Sequence, residues 1–304
     1  AGHTVYVDDK SYSTHLIPSG IFYGIKSIIG PGCVVNINSF IQEINYLNEN
    51  KFDTSLIKIS PNAHVVYEEH IEEDSNKFSK KLGTTKNGIG PCYRDKYQRT
   101  GTRLIDYLNK LDKACSLHAE WLRGLLWDGN LYGNILCEGA QGFWLDIDYG
   151  NYPYVTSSTT LPYSACSLGF APQKIRKIYG AVKIYDTRVG YDPDFPESLY
   201  DNEELKTIAK GGEEYGTTTG RMRKVNYLNV NKLIKSIKIS GVTDLIVSKV
   251  DILEKLSIYK YYYNEKLLCF NNLEDMINGI EEVLNKECSE YLKEIIYSNN
   301  PEKI

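Results

Sequence analysis

The sequence predicts an α/β fold, and two observations carry that prediction. Short apolar runs bounded by turn residues alternate with stretches whose apolar residues recur at helical spacing. The second observation is the stretch from Leu131 to Ser158. Leu131–Cys137 is largely apolar and reads as a strand. It runs into Glu138, Gly139, Gln141 and Gly142, with Asp146, Asp148 and the Thr156-Ser157-Ser158 run close behind. Polar groups crowded just past a strand suit the ligand crevice of an open α/β sheet, which lies beyond the carboxyl ends of the strands. Gly139 and Gly142 let backbone come close to a ligand, and Gln141 offers both donors and acceptors to a base or carbonyl. A polar surface loop has a similar composition, but glycine, amide and hydroxyls converging at one strand end favour a ligand.

In chain order, Val5–Val7 reads as a strand leading from Ala1-Gly2-His3-Thr4, and Asp8-Asp9-Lys10 turns the chain. A histidine in a glycine-flanked turn is ordinarily an exposed loop residue, and spacing alone leaves His3 open to that reading as well as to a functional one. Ser27–Gly30 reads as a short strand, Asn38–Tyr46 as a helix through Phe40, Ile41, Ile44 and Tyr46, and Ser55–Ser60 and Ala63–Tyr67 as strands. Gly83–Pro91 brings three glycines and the pair Thr84-Thr85, whose N–H groups and hydroxyls suit a monophosphate as well as a plain surface loop. Arg99 reads as a solvated helix arginine. Leu104–Leu126 forms one or two amphipathic helices with Leu104, Leu108, Leu111 and Cys115 on one stripe.

Ile175–Tyr185 reads as a strand ending near Arg188, which suits a salt-bridge anchor as well as a ligand contact. Gly211–Lys224 punctuates Thr217, Thr218 and Thr219 with glycine, including Gly220, and follows them with Arg221, Arg223 and Lys224. Hydroxyls and N–H groups there can bind one carboxylate of a small dianion and the arginines another; a disordered linker is the plainer alternative. Asp244–Asp251 reads as a buried strand ending in Lys249-Val250-Asp251. An aspartate so placed can accept the N1 and N2 hydrogens of guanine, although Lys-x-Asp triplets abound. Asp275–Ile296 reads as an amphipathic helix, followed by Tyr297–Pro301.

Composition narrows the function. With 35 Lys and Arg against 39 Asp and Glu, the net charge is −4, so nothing suggests a general nucleic-acid surface. No apolar run has the length of a membrane span and no signal peptide opens the chain, so a protein without membrane partners is expected. Seven cysteines without a Cys-x-x-Cys pair suggest reduced thiols in a cytoplasm. The 25 tyrosines and many Asn, Ile and Lys residues read as coding bias.

Several of these blocks together resemble the adenylosuccinate synthetase family. Glu138–Gly142, Leu145–Asp148 and Tyr152–Ser158 match its Glu-Gly-Ala-Gln-Gly, Leu-Asp-Ile-Asp and Tyr-Pro-Tyr-Val-Thr-Ser-Ser blocks. The opening Ala1-Gly2-His3-Thr4, the Leu16–Ile21 segment, Gly83–Pro91, Tyr93–Gly101 and Gly211–Lys224 match further blocks. The resemblance covers nearly all of the chain as a single domain over residues 1–304. It implies one large, twisted, mainly parallel sheet flanked by helices, related to the P-loop NTPases. The family's earlier Gly-Asp-Glu-Gly-Lys-Gly loop, with the strand before it, is absent from these residues, so an N-terminally truncated chain is expected. Lys86-Asn87 replaces the usual Gly-Arg, Met222 replaces an arginine, and Leu161–Ser167 departs from the usual glycine-rich continuation. The segment between Lys249-x-Asp251 and the last turn is compact.

The resemblance implies GTP-dependent joining of IMP and L-aspartate to give adenylosuccinate, with Mg2+, in a cytoplasmic homodimer. His3 and Gln141 would be catalytic, with His3 binding the phosphates in transfer. Ala1, Gly2, His3, Thr85, Gln141, Thr156 and Arg221 would bind IMP, joined by Arg99 reaching across the dimer to the partner's site. Thr217, Thr218, Thr219, Gly220, Arg221 and Arg223 would bind aspartate. Gly2, His3, Thr4, Arg223, Lys249, Val250, Asp251, Ser298, Asn299 and Asn300 would bind GTP, and the Gly2 carbonyl would be a magnesium ligand. Two alternatives stand beside this: a phage-type synthetase joining aspartate to dGMP, and a non-catalytic nucleotide-binding module.

Overall fold

The computed structural model describes residues 2–112, 117–216, 220 and 222–300. The chain forms two compact units, Ala1–Pro172 and Gln173–Ile304.

The first unit opens with a hairpin, β1 (His3–Val7) and β2 (Lys10–Thr14), in which His3 pairs with Thr14. Strands β3 (Ser27–Ile29) and β4 (Val34–Val35) precede helix α1 (Ile37–Glu49), and β5 (Ile57–Ile59) and β6 (His64–Val65) follow it. The β3–β5 and β4–β6 pairs are parallel, as expected when a helix crosses back over the sheet. Ile37, Phe40, Ile44 and Leu47 of α1 are buried, one face of a 3.6-residue period. Helices α2 (Glu68–Glu73), α3 (Ser79–Leu82), α4 (Ile89–Gln98), α5 (Leu104–Asp112) and α6 (Leu117–Gly124) complete the regular structure. Leu104 and Leu108 of the expected stripe are almost fully buried; Cys115 lies outside the described residues.

Leu131–Cys137 is a correction: it forms no strand. Gly133 takes φ +72°, which breaks an extended run, and Leu136 is 82% exposed. An apolar run becomes a strand only when another backbone pairs its N–H and C=O groups, and among the described residues none does.

The second unit carries the larger sheets. Strand β7 (Tyr179–Lys183) leads through Ile184 to β8 (Tyr185–Arg188), so the single strand expected over Ile175–Tyr185 is two. Helix α7 (Glu203–Gly211), β9 (Lys224–Asn229), α8 (Val230–Ser240), β10 (Asp244–Ser248), α9 (Val250–Leu256), β11 (Lys260–Tyr263), β12 (Lys266–Cys269), α10 (Leu273–Cys288) and β13 (Glu294–Tyr297) follow. The helix expected to reach Ile296 therefore stops at Cys288, and its last residues become a strand beside β10. One sheet has the order β13-β10-β7 with both pairings parallel; the other has the order β12-β11-β9-β8. Ile184 donates its N–H to Ser248 O at 3.0 Å, which ends β7 against β10 before β8 pairs antiparallel with β9. Leu233, Ile237, Leu245, Val247, Ile280 and Leu284 lie in the buried core.

The asparagines have a structural use. Asn36, Asn202, Asn229 and Asn272 each cap a helix, accepting the N–H of Ser39, Leu205, Lys232 and Asp275 at 2.8–3.1 Å. Such a cap contributes about 1 kcal/mol. Among the described residues no helix is long and apolar enough to cross a membrane.

Candidate functional site

In the first unit, β1 presents His3, whose Nδ1 donates to Glu138 Oε1 at 2.6 Å. Glu138 Oε2 accepts the Ser19 N–H at 3.1 Å and its hydroxyl at 2.8 Å. Burial would raise the Glu138 carboxyl, but the hydrogen bonds and charge of His3 and those of Ser19 outweigh it and hold it at about 2. The carboxylate thus fixes the imidazole through Nδ1, leaving Nε2 to meet a ligand. Glu138 was not foreseen as a site residue; its signal was its place directly before Gly139.

Gln141 is exposed and sits at φ +61°. At Gly139 and Gly142 a Cβ would meet nothing within 4 Å, so the backbone here faces open space. Asp146 does not serve as a ligand-facing group. It is fully buried and accepts from the N–H groups of Asp148, Tyr149 and Thr160 and from the Thr159 hydroxyl. It ties the loop that carries Thr156, whose own N–H donates to Leu145 O at 2.8 Å.

The Thr85 loop is held in the same manner. Asp74, 3% exposed, accepts the Thr84 hydroxyl at 2.7 Å and the Gly88 N–H at 3.0 Å. Gly88 takes φ +69°, and a Cβ there would lie 2.8 Å from the Ile71 nitrogen, so glycine is required. Asp74 opens a π-helical turn, Asp74–Phe78, a form frequent at functional sites. Thr85 and Lys86 are exposed at the loop's crest. Arg99 ends α4 at φ +68°, exposed and without an ion pair among the described residues.

In the second unit, two strand ends gather the expected nucleotide residues. Lys249 follows β10 at φ +67° and opens α9, with Val250 buried and Asp251 in the first turn. The Ser298 N–H donates to Val247 O at 2.8 Å and its hydroxyl to Asn300 O at 2.9 Å. The Ser298–Asn300 turn and the Lys249–Asp251 triplet therefore lie side by side past the carboxyl ends of parallel strands, the usual place for a ligand in such a sheet. Lys255 donates to Asp251 Oδ2 at 2.8 Å.

Residues 214–216 and 222–223 form a narrow antiparallel neck. Arg223 N–H donates to Glu214 O at 2.9 Å, Tyr215 bridges Met222, and Gly220 N–H donates to Gly216 O at 2.7 Å. Thr217, Thr218, Thr219 and Arg221, like Ala1, lie outside the described residues. Arg223 Nη1 donates to Glu214 Oε2 at 3.2 Å, while its Nε is buried without a partner among the described residues. Arg188 pairs through Nε with Asp192 at 3.1 Å and is 8% exposed, which makes it a salt-bridge anchor.

Gln141, Arg99 and Lys249 are all non-glycine residues in the left-handed region. Such strain, of order 1–3 kcal/mol each, collects where function requires it.

A family model described as adenylosuccinate synthetase matches residues 1–126 and 126–285. The adenylosuccinate synthetase of Listeria monocytogenes serotype 4a (strain HCC23) is 37% identical over 312 aligned residues, which cover 88% of this chain and 72% of that protein. The structure of the fully ligated adenylosuccinate synthetase from Plasmodium falciparum superposes with a TM-score of 0.81 at 28% identity, covering 99% of this chain and 89% of that one. The succinoaminodeoxyadenylate synthetase of cyanophage S-2L, solved with dGMP and dATP, gives a TM-score of 0.69 at 20% identity over 99% of this chain and 82% of its own. That likeness extends to the fold.

Proposed function

We propose, from the premise that the chain belongs to the adenylosuccinate synthetase family of C–N bond-forming ligases, that it joins IMP to L-aspartate at the expense of GTP. The observation that carries this reading is the family match running from residue 1 to residue 285. In the reaction, the 6-oxygen of IMP attacks the γ-phosphorus of GTP and the bond to the β-phosphate oxygen breaks, releasing GDP. The aspartate amine then attacks C6, and the C6–O bond breaks to release phosphate.

The residues fit named parts in this sequence. His3, anchored by Glu138, hydrogen-bonds the transferred phosphoryl group through Nε2 as charge develops on it. Gly2 and Thr4 flank it on the nucleotide phosphates. Gln141, with donors and acceptors on an exposed side chain, orients the purine near its 6-position. Thr85 and Thr156 bind the IMP phosphate, and Arg99 reaches the site of a second copy in a homodimer. Thr217–Arg223 bind aspartate, with Arg221 also meeting IMP and Arg223 meeting GTP. Asp251 reads guanine beside Lys249, Val250 and Ser298–Asn300.

Magnesium supplies charge neutralisation between phosphates when bound. Among the described residues no three His, Cys, Asp or Glu side chains form a metal cluster. The ion would be held chiefly by phosphates and water, with the exposed Gly2 supplying a backbone carbonyl. The two compact units work as one synthetase domain in the cytoplasm.

The test combines the protein with IMP, L-aspartate, GTP and Mg2+ and follows ultraviolet absorbance. The expected result is an absorbance change that requires all three substrates and yields adenylosuccinate by mass. Absence of product with IMP overturns the reading, and product formed with dGMP alone reassigns the acceptor.

A further inference from the structure

Glu214 lies at the neck formed by residues 214–216 and 222–223 in the second unit. It is 2% exposed, and its carboxylate takes hydrogen bonds from three elements. Lys183 Nζ, at the end of β7, donates to Oε2 at 2.5 Å; the Tyr185 hydroxyl, on β8, donates to Oε1 at 2.8 Å; and Arg223 Nη1 donates to Oε2 at 3.2 Å. Its backbone C=O also accepts the Arg223 N–H at 2.9 Å. Glu214 therefore holds Arg223 by both backbone and side chain, at the neck of the loop. Just before it, Gly212 accepts Lys249 Nζ at 2.8 Å, and a Cβ on Gly212 would lie 2.2 Å from the Tyr185 hydroxyl. No larger residue fits at that point without moving the tyrosine that holds the carboxylate.

The charges do not cancel. The Lys183 ammonium is attracted by Glu214 and repelled by both Arg223 and Lys249, while the charge of Asp251 reaches Tyr185. Burial pulls the Lys183 ammonium down to about 8 against the attraction of Glu214, and Arg223 and Lys249 add to the fall. A buried carboxylate with one cation would form a closed structural pair. Here it gathers cations in excess of the nearby negative charge, and Arg223 Nε has no partner among the described residues. An arginine with part of its fork fixed and part open is arranged to grip an anion.

We propose that Glu214, braced by Lys183 and Tyr185, is a positioning residue that sets the Arg223 guanidinium and the neck for the aspartate carboxylate. This rests on the reading of Thr217–Arg223 as the amino-acid site. Glu214 acts through Arg223 and touches no substrate itself.

The experiment compares the wild-type protein with Glu214→Gln, Tyr185→Phe, Arg223→Ala and the Glu214→Gln/Arg223→Ala double variant. Glu214→Gln raises KM for L-aspartate about tenfold, the scale of one charge-assisted hydrogen bond, with kcat within about threefold and KM for IMP unchanged. Tyr185→Phe raises it about two- to threefold. In the double variant KM is no higher than in Arg223→Ala alone, because the two residues act as one unit. A purely structural role would lower the active fraction without this split and would add its loss in the Arg223→Ala background. An unchanged KM, or additive losses, overturns the proposal. Tryptic cleavage after Arg221, read by mass, gives a second answer that needs no activity. It is at least about fivefold faster in Glu214→Gln, and an equal rate overturns the proposal even if wild type makes no adenylosuccinate. Failure of wild type to make product counts against the ligase reading alone. Tyr185→Phe, which keeps the ring, decides both readouts if Glu214→Gln does not fold.

Discussion

Replacing Asp74 separates two ways of holding the Thr85 loop. The native carboxylate accepts one hydrogen bond from the Thr84 hydroxyl and one from the Gly88 N–H, and it is 3% exposed. In Asp74→Asn the amide oxygen keeps the Gly88 bond and the NH2 donates to the threonine oxygen, since a hydroxyl rotates to accept. The loss is then mainly that of charge assistance, about 0.5–1 kcal/mol. Asp74→Ala leaves the Gly88 N–H without its acceptor and opens space beneath the loop. A buried unsatisfied donor costs about 1–3 kcal/mol and the lost hydroxyl bond about 1 more, so the alanine variant loses about 2–4 kcal/mol. Urea unfolding at pH 7, with slopes compared to exclude a change of unfolded state, measures both. The same variants raise KM for the nucleoside monophosphate in the same order. An alanine variant within 0.5 kcal/mol of wild type, or an asparagine variant as unstable as alanine, refutes the reasoning that Asp74 holds the loop by these two bonds.

Three further outcomes are expected. Lys86→Gly relieves a non-glycine residue at φ +61° and raises stability by about 0.5–1 kcal/mol net of the glycine's entropy cost; a less stable variant in urea would contradict this. Glu138 has its folded pKa depressed from 4.5 to about 2, so its contribution is fully present above 4.5 and fades as pH falls towards 2. Allowing for solvent screening it is worth about 1–2 kcal/mol, and the stability gap between wild type and Glu138→Gln should close across that range in acid titrations. Asp186 behaves oppositely: burial raises it from 3.8 to about 6, despite the Asn229 amide and Lys232. Its ionised form costs stability that appears as pH rises from 3.8 through 6. Asp186→Asn, which keeps an acceptor for Asn229, is therefore more stable than wild type by about 1–2 kcal/mol at pH 8 and equal at pH 4; equal melting at both pH values would reject it.

The elements written in local chemistry were legible. The period of α1, though not its Asn36 cap, the apolar run of β10, and the glycine-threonine loops could be marked from residue spacing. The positions of Lys249-x-Asp251 and Ser298–Asn300 could be marked too, but not their adjacency, which comes from β10 and β13 pairing in register. Asp146 looked like a ligand beside Gln141, yet five donors from its own loop claim it, because a buried carboxylate must be satisfied wherever the chain folds around it. Leu131–Cys137 had strand composition and formed none, and Ile175–Tyr185 was split by a bond from Ile184 to Ser248.

What the chain's residues settled unaided is the list of chemical groups and the loops that carry them, since φ freedom, hydroxyls and helical period are properties of neighbours in sequence. What only folding decided is which carboxylate braces which cation. His3 is separated from Glu138, and Lys183 from Glu214, by many residues, and such pairs exist only once strands and loops have paid the entropy of coming together.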